Sequence, residues 1–256
     1  MNIFTAFFLR EIRSALLNRF VYLFAVLCLV VGLVPVLMSA AAETTAAYTL
    51  LQACLWMVPL FSLLTGVGSA QGEDEERDYL ASLPLGGGVR VLGKFTALAT
   101  ILAVATVLLI VPALLAGAPG DQMLGFWLHA FGAGAVFAAL GMAVGFTVRD
   151  RLKSHLLGLC LWLALLTGPD LLALGAARDG LADEHPDLWL GLLLSNPLDA
   201  LRISVVLRLD RIPFEPDSAF ARLWLGHLGA AFALVCTVWA AVSLSWGGSR
   251  LASRPY

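Results

Sequence analysis

Six runs of about twenty or more mainly apolar residues, separated by short polar stretches, constrain this chain more than any other feature. A helix needs about 20 such residues to cross a bilayer. The hydrocarbon offers no hydrogen-bond partner to a bare backbone, so only helices or closed barrels can cross it. The runs are expected at 20–42, 47–70, 96–116, 123–148, 156–176 and 222–246. Composition agrees. Of 256 residues, 60% are hydrophobic and 13% charged, whereas a typical soluble domain carries about 25% charged residues. So few charges could not cover a soluble surface. The fold class that follows is an all-α integral membrane protein with six transmembrane helices. The net charge of -2 gives no reason to expect nucleic acid as a partner.

Before the first run, residues 2–19 place Ile3, Phe4, Phe7, Phe8, Ile12, Ala15 and Leu16 at helical spacing. Arg10, Glu11, Arg13, Ser14, Asn18 and Arg19 fall mostly on the other side. This pattern predicts an amphipathic helix lying in the membrane interface. The first apolar run is too long for a signal peptide and its leader is amphipathic, so it reads as a retained span kinked at Pro35. The fourth run carries Gly132, Gly134, Gly141 and Gly145, small residues that allow helices to approach closely. Residues 177–221 are different. They hold an apolar patch too short to span, then an amphipathic part in which Leu198, Leu201, Val205 and Leu209 align. A re-entrant or interfacial segment outside the cytoplasm is expected there. Eleven of the sixteen basic residues fall on the side of the termini, which places both termini in the cytoplasm.

Residues 72–95 are the one long charged stretch between spans. Glu73, Asp74, Glu75, Glu76 and Asp78 lie within it. Gly72 ends or loosens the second span. Glu73, Asp74, Glu75 and Glu76 would occupy the first turn of a short helix, where the dipole favours negative charge. Pro84 and the glycines after it stop that helix. Tyr79, Leu80 and Leu83 give it an apolar edge, and Lys94 marks the return to the membrane. Two readings stand: a charged loop that keeps topology, or a coupling helix that plugs into a partner's cleft. The match of Gly88 through Gly93 and Lys94 to GxxxxGK is spurious. Phe95 stands where Ser or Thr must hold magnesium, and no strand precedes it.

No enzyme constellation stands out. His129, His155, His185 and His227 are isolated, and no zinc spacing, GxSxG or HExxH occurs. Cys28, Cys54, Cys160 and Cys236 lie in separate apolar runs and read as small buried residues. Asp170, in the outer part of the fifth span beside Pro169, is the clear intramembrane carboxylate. It is either a functional residue or a helix-end side chain reaching the interface.

The Gly72-Glu73-Asp74-Glu75 turn, the Pro84-Leu85-Gly86 break, Gly93-Lys94-Phe95, and Asn196-Pro197 followed by Asp199 and Arg202 form a joint pattern. With six spans and an interfacial helix, the chain resembles the permease subunits of ABC exporters of the second export-permease family. More narrowly, it resembles the permease of the copper-processing system that matures nitrous oxide reductase. The resemblance implies a single permease domain over 1–256, a non-catalytic subunit in a bacterial inner membrane. It implies a homodimer of permeases with two copies of a separate ABC ATPase, which would bind the ATP and magnesium; no cofactor is then held by this chain. Gly72, Glu73, Asp74, Glu75, Tyr79, Leu83, Pro84, Gly93 and Lys94 would couple to the ATPase. Asn196, Pro197, Asp199 and Arg202 would meet a periplasmic accessory protein or form a gate. Haem, a lipid-linked glycan or a drug are the alternative cargoes. A membrane-embedded enzyme or a scaffold are the readings from other classes.

Overall fold

The computed structural model describes residues 3–38, 43–75, 86–178, 184–210 and 218–253. They form ten helices and no strand: α1 (Ile3–Leu16), α2 (Arg19–Leu37), α3 (Glu43–Glu75), α4 (Gly87–Leu115), α5 (Gly120–Thr147), α6 (Arg151–Arg178), α7 (Pro186–Ser195), α8 (Pro197–Asp210), α9 (Ala219–Gly226) and α10 (Leu228–Ala252). Six of them, α2 to α6 and α10, are long and apolar enough to cross a membrane. Hydroxyl side chains in them fold back onto their own helix. Thr65 donates to Phe61 O, Thr106 to Leu102 O and Ser243 to Trp239 O, which satisfies each donor without a partner from the lipid. Asn18 separates α1 from α2: its side chain accepts from Phe20 N at 2.9 Å and caps α2.

The centre of the molecule is the crossing of α3 and α5. A Cβ at Gly141 would stand 2.1 Å from Leu63 O, and one at Gly66 2.3 Å from Ala138 O. The two backbones touch there, which is how helices gain packing contact when lipid is as apolar as leucine. Around the crossing lies one continuous core that includes Phe24, Leu55, Leu102, Phe137, Trp162 and Leu201. The α2, α6 and α10 helices are mostly unburied and form the outer wall. Leu251 Cδ2 approaches Gly87 and Phe7 packs on Gly93, so both ends of the chain lie at one end of the bundle.

Several expected boundaries shift, each for a local reason. The second span does not stop at Ala70 or Gly72; α3 runs on to Glu75, held by Gln71, which donates to Ser154 Oγ at 2.5 Å, and by Glu73. Glu73 to Glu75 therefore form the last turn of α3, not the first turn of a new helix. The third span starts nine residues earlier than expected, at Gly87, with Gly86 as its extended N-cap. The stretch read as GxxxxGK is thus the opening of a helix. Arg151 to His155 belong to α6, not to a loop, because Asp150 caps it through Lys153 N. The last span is not 222–246. The chain breaks at His227 (φ -128°, ψ 41°) after Gly226, and α10 begins at Leu228. The first span closes at Leu37, with Met38 as C-cap.

Candidate functional site

Two groups of polar residues are built into this fold, one at each end. The first lies at the end that bears the termini. Arg90 and Lys94 are four residues apart on α4 and so share one face. Arg90 Nη1 meets Glu73 at 3.1 Å, and Lys94 Nζ donates to Glu11 Oε2 at 2.9 Å. All four side chains are buried: Glu73 and Lys94 are each 3% exposed. The two pairs tie α3, α4 and α1 together. Glu73 sits at the C-terminal end of α3, where the dipole disfavours a negative charge, and Arg90 offsets this. Gly93 makes room for α1: a Cβ there would fall 2.6 Å from the Phe7 ring. Beside the Lys94–Glu11 pair, a cavity of about 180 Å³ is lined by Ser14, Asn18, Thr65, Ser69 and Gly72.

These pairs hold the two roots of the connector between α3 and α4. The connector leaves the end of α3 two residues after Glu73 and rejoins α4 at Gly87, three residues before Arg90. Its own residues 76–85, with Tyr79, Leu83 and Pro84, lie outside the described residues, and only the backbone of Asp74 and Glu75 is described. Of the expected coupling residues, Gly72, Glu73, Gly93 and Lys94 are brought together around the neck. Glu73 and Lys94 face inward, into ion pairs, and not outward. The helical pattern alone puts Glu11 with Arg10 and Arg13 on the polar side and gives no sign of a buried partner. Arg10 is its second partner, at 3.2 Å.

The second group is at the other end. α7 and α8 meet at Asn196 and turn through 109°, the bend of a broken span or of a re-entrant pair. The bend is deep. Asn196 Nδ2 donates to Leu165 O at 2.7 Å, and Leu165 is 14 residues from one end of α6 and 13 from the other, about 20 Å from each. On the far side Trp239 Nε1 donates to Ser195 O at 2.8 Å, and Trp239 is likewise near the middle of α10. The expected re-entrant or interfacial segment is a helical hairpin. Leu198, Leu201 and Val205 are buried as their spacing implied.

A specific defect explains the Asn196 contact. Pro169 lacks an N–H, so Leu165 O, four residues earlier, has no helical donor. Asn196 supplies it, a common remedy for proline in membrane helices. Its Oδ1 accepts from Leu198 N, capping α8, and its Nδ2 also reaches Asp199 Oδ2 at 2.9 Å. One turn outward, Arg202 Nη1 donates to Asp170 Oδ1 at 2.7 Å and lies 3.5 Å from Asp199. Asp170 and the Asn196-Pro197-Asp199-Arg202 motif, separate in the sequence, are one cluster in space. Asn196→Leu is expected to lower stability by about 1–3 kcal/mol, the cost of leaving a buried acceptor unmet. Thermal unfolding in detergent checks this. The loss should shrink in a Pro169→Ala background, where the helix supplies its own donor.

Cys28 and Cys54 are buried in the shared core, Cys236 is half-buried and Cys160 is exposed. Among the described residues no three His, Cys, Asp or Glu side chains converge. His129 stacks on Phe232 at 4.7 Å and contacts Gly125 O, the surroundings of a packing residue.

No family model matches the chain. Two curated proteins are similar to it over most of its length. The probable ABC transporter permease protein NosY of Stutzerimonas stutzeri is 28% identical over 218 residues, which cover 76% of this chain and 78% of that protein. The protein of the same name from Pseudomonas aeruginosa is 29% identical over 259 residues, covering 88% of this chain and 93% of that one. The chain is thus similar to these two proteins along most of its length, and six of its helices are long and apolar enough to cross a membrane.

Proposed function

We propose that this chain is the transmembrane permease subunit of an ABC transporter, driven by ATP hydrolysis on a separate subunit. The observation that carries this reading is the ion-paired neck, set beside the similarity to two permeases. A connector rooted in two rigid helices, with its roots bonded to each other and to the interfacial helix, can pass a push from outside into the bundle. A free loop could not, because its motion would be absorbed locally. On this reading Glu73, Arg90, Lys94 and Glu11 are positioning residues. The direct ATPase contacts fall to connector residues 76–85, with Tyr79, Leu83 and Pro84 among them, and to Asp74 and Glu75. Two permease copies, each with an ATPase subunit that binds ATP and magnesium, complete the machine in the bacterial inner membrane, with both termini cytoplasmic. The permease itself performs no catalysis.

The task we infer is the one suggested by the relatives' name: export or mechanical transmission in support of copper- or sulfur-site maturation of nitrous oxide reductase. The α7–α8 hairpin would then face a periplasmic accessory protein. Export of haem, a lipid-linked glycan or a drug is the alternative. The test is purification from native membranes through the C-terminal tail, with the accompanying chains identified. An ATPase is expected to accompany the wild-type chain. It is expected to be lost when residues 76–85 are replaced by a Gly-Ser linker of equal length, in a protein that stays monodisperse. No ATPase with either protein would refute the permease reading.

A further inference from the structure

Asp170 and Arg202 form an ion pair on the surface of a membrane segment. The Asp170 side chain is 59% exposed and that of Arg202 34%. Asp170 lies eight residues inward from Arg178, the end of α6, or about 12 Å along the axis. Charged side chains in membrane segments almost always face the bundle interior or a water-filled cavity, because hydrocarbon cannot solvate them. This pair does not face the interior, since Asp170 is exposed and Arg202 is only half-buried. Asp199 lies behind it, 4% exposed, and adds a second carboxylate to a single guanidinium. Inward along the same side of α6 stand Leu163, Leu159 and Leu156, each partly exposed and apolar.

We propose that Asp170, Arg202 and Asp199 form the floor of a water-filled vestibule on the side away from the termini, selective for cationic, hydrophilic solutes over anions and lipids. The leucines beneath the floor form its seal. This deepens the permease reading, on which it rests for its purpose, by giving the cargo a chemical class. Two carboxylates around one guanidinium leave excess negative potential, and low-dielectric walls focus it. Arg202 keeps the floor from holding a cation tightly, so a solute can leave.

The test uses the full chain in right-side-out membrane vesicles, with Cys160→Ser and Cys236→Ser removing the accessible thiols. Thr167→Cys lies one turn below Asp170 on the same side of α6. Leu172→Cys lies on the opposite side and about 7.5 Å nearer the outer end. A trimethylammonium and a sulfonate methanethiosulfonate are added outside, with Arg178→Cys as the reference. The deeper Thr167→Cys is expected to react about tenfold faster than Leu172→Cys, because only its side is wet. Relative to the reference, the cationic probe is expected to be favoured at Thr167→Cys by about threefold or more, and Asp170→Asn to remove that preference. If Thr167→Cys does not fold, Leu174→Cys on the Asp170 side replaces it for the charge preference and its loss in Asp170→Asn only, since Leu174 is nearer the outer end than Leu172. Faster reaction at Leu172→Cys would mean that depth alone governs access and would overturn the vestibule. So would reaction at the reference only, or no charge preference. ATPase co-purification from the same membranes separates the two ideas: an ATPase retained without a wet face refutes the vestibule and leaves the permease.

Discussion

Gly141→Leu is expected to remove nearly all folded protein from the membrane. At the α3–α5 crossing even a methyl group would sit 2.1 Å from the Leu63 carbonyl oxygen. Overpacking a flexible core costs about 1–3 kcal/mol. Here the clash is with backbone on both sides, so the helices must separate, and with them the core built on Leu55, Leu102 and Phe137. The Gly66–Ala138 contact, about one turn along the same crossing, would be lost together with it. Gly175→Leu is the control: Gly175 is exposed and nothing lies within 4 Å of a Cβ there, and that protein should accumulate as the wild type does. Size-exclusion chromatography of detergent extracts reads both. Equal yields from the two variants would mean that α3 and α5 do not touch through Gly141.

Lys94→Met is expected to destabilise the protein by about 3–5 kcal/mol, because it leaves the Glu11 carboxylate buried beside a lost cation. Arg10, at 3.2 Å from Glu11, can recover only part of this from its more exposed position. The double variant Glu11→Met with Lys94→Met should restore most of the loss, since a buried ion pair replaced by apolar side chains of similar size is often neutral or better. Thermal unfolding in detergent gives both values, and at this chain length the single variant should fall by on the order of 10 °C. A double variant as unstable as the single would mean that the pair is not what joins α1 to α4. If the neck transmits motion, the restored double variant should still fold and bind the ATPase yet couple poorly, since methionines hold the two helices less rigidly than a charge-assisted hydrogen bond.

The spans were legible because run length and composition decide them, and no long-range contact is needed to read twenty apolar residues as a helix. The Leu198–Leu201–Val205 stripe was legible for the same reason: helical spacing is local. What sequence could not supply was any fact that depends on a distant partner. Glu11 looks like a headgroup-facing residue until Lys94, 83 residues later, is placed opposite it. The ends of α3 and α4 ran past their apolar runs because Gln71, Glu73 and Arg90 find partners on other helices. Pro169 leaves Leu165 O without a helical donor, and nothing local in the sequence says that Asn196 meets it. Asp170 was visible as a lone intramembrane carboxylate, and only the hairpin brought Arg202 to it. The break at His227 was missed because Gly226 sits within a continuous apolar pattern, where a single glycine is usually tolerated.

The most direct test of a permease moved by a separate ATPase is a photo-cross-link from Tyr79. A photoreactive amino acid at that position, in the full chain in native membranes, is irradiated and its adduct identified by mass spectrometry. The expected result is a covalent adduct with an ABC ATPase subunit, weakened when Glu73→Gln loosens the neck. An adduct with lipid or with this chain alone, in membranes where the ATPase is present, would contradict the connector as the point of coupling and return the acidic stretch to a loop that only keeps topology.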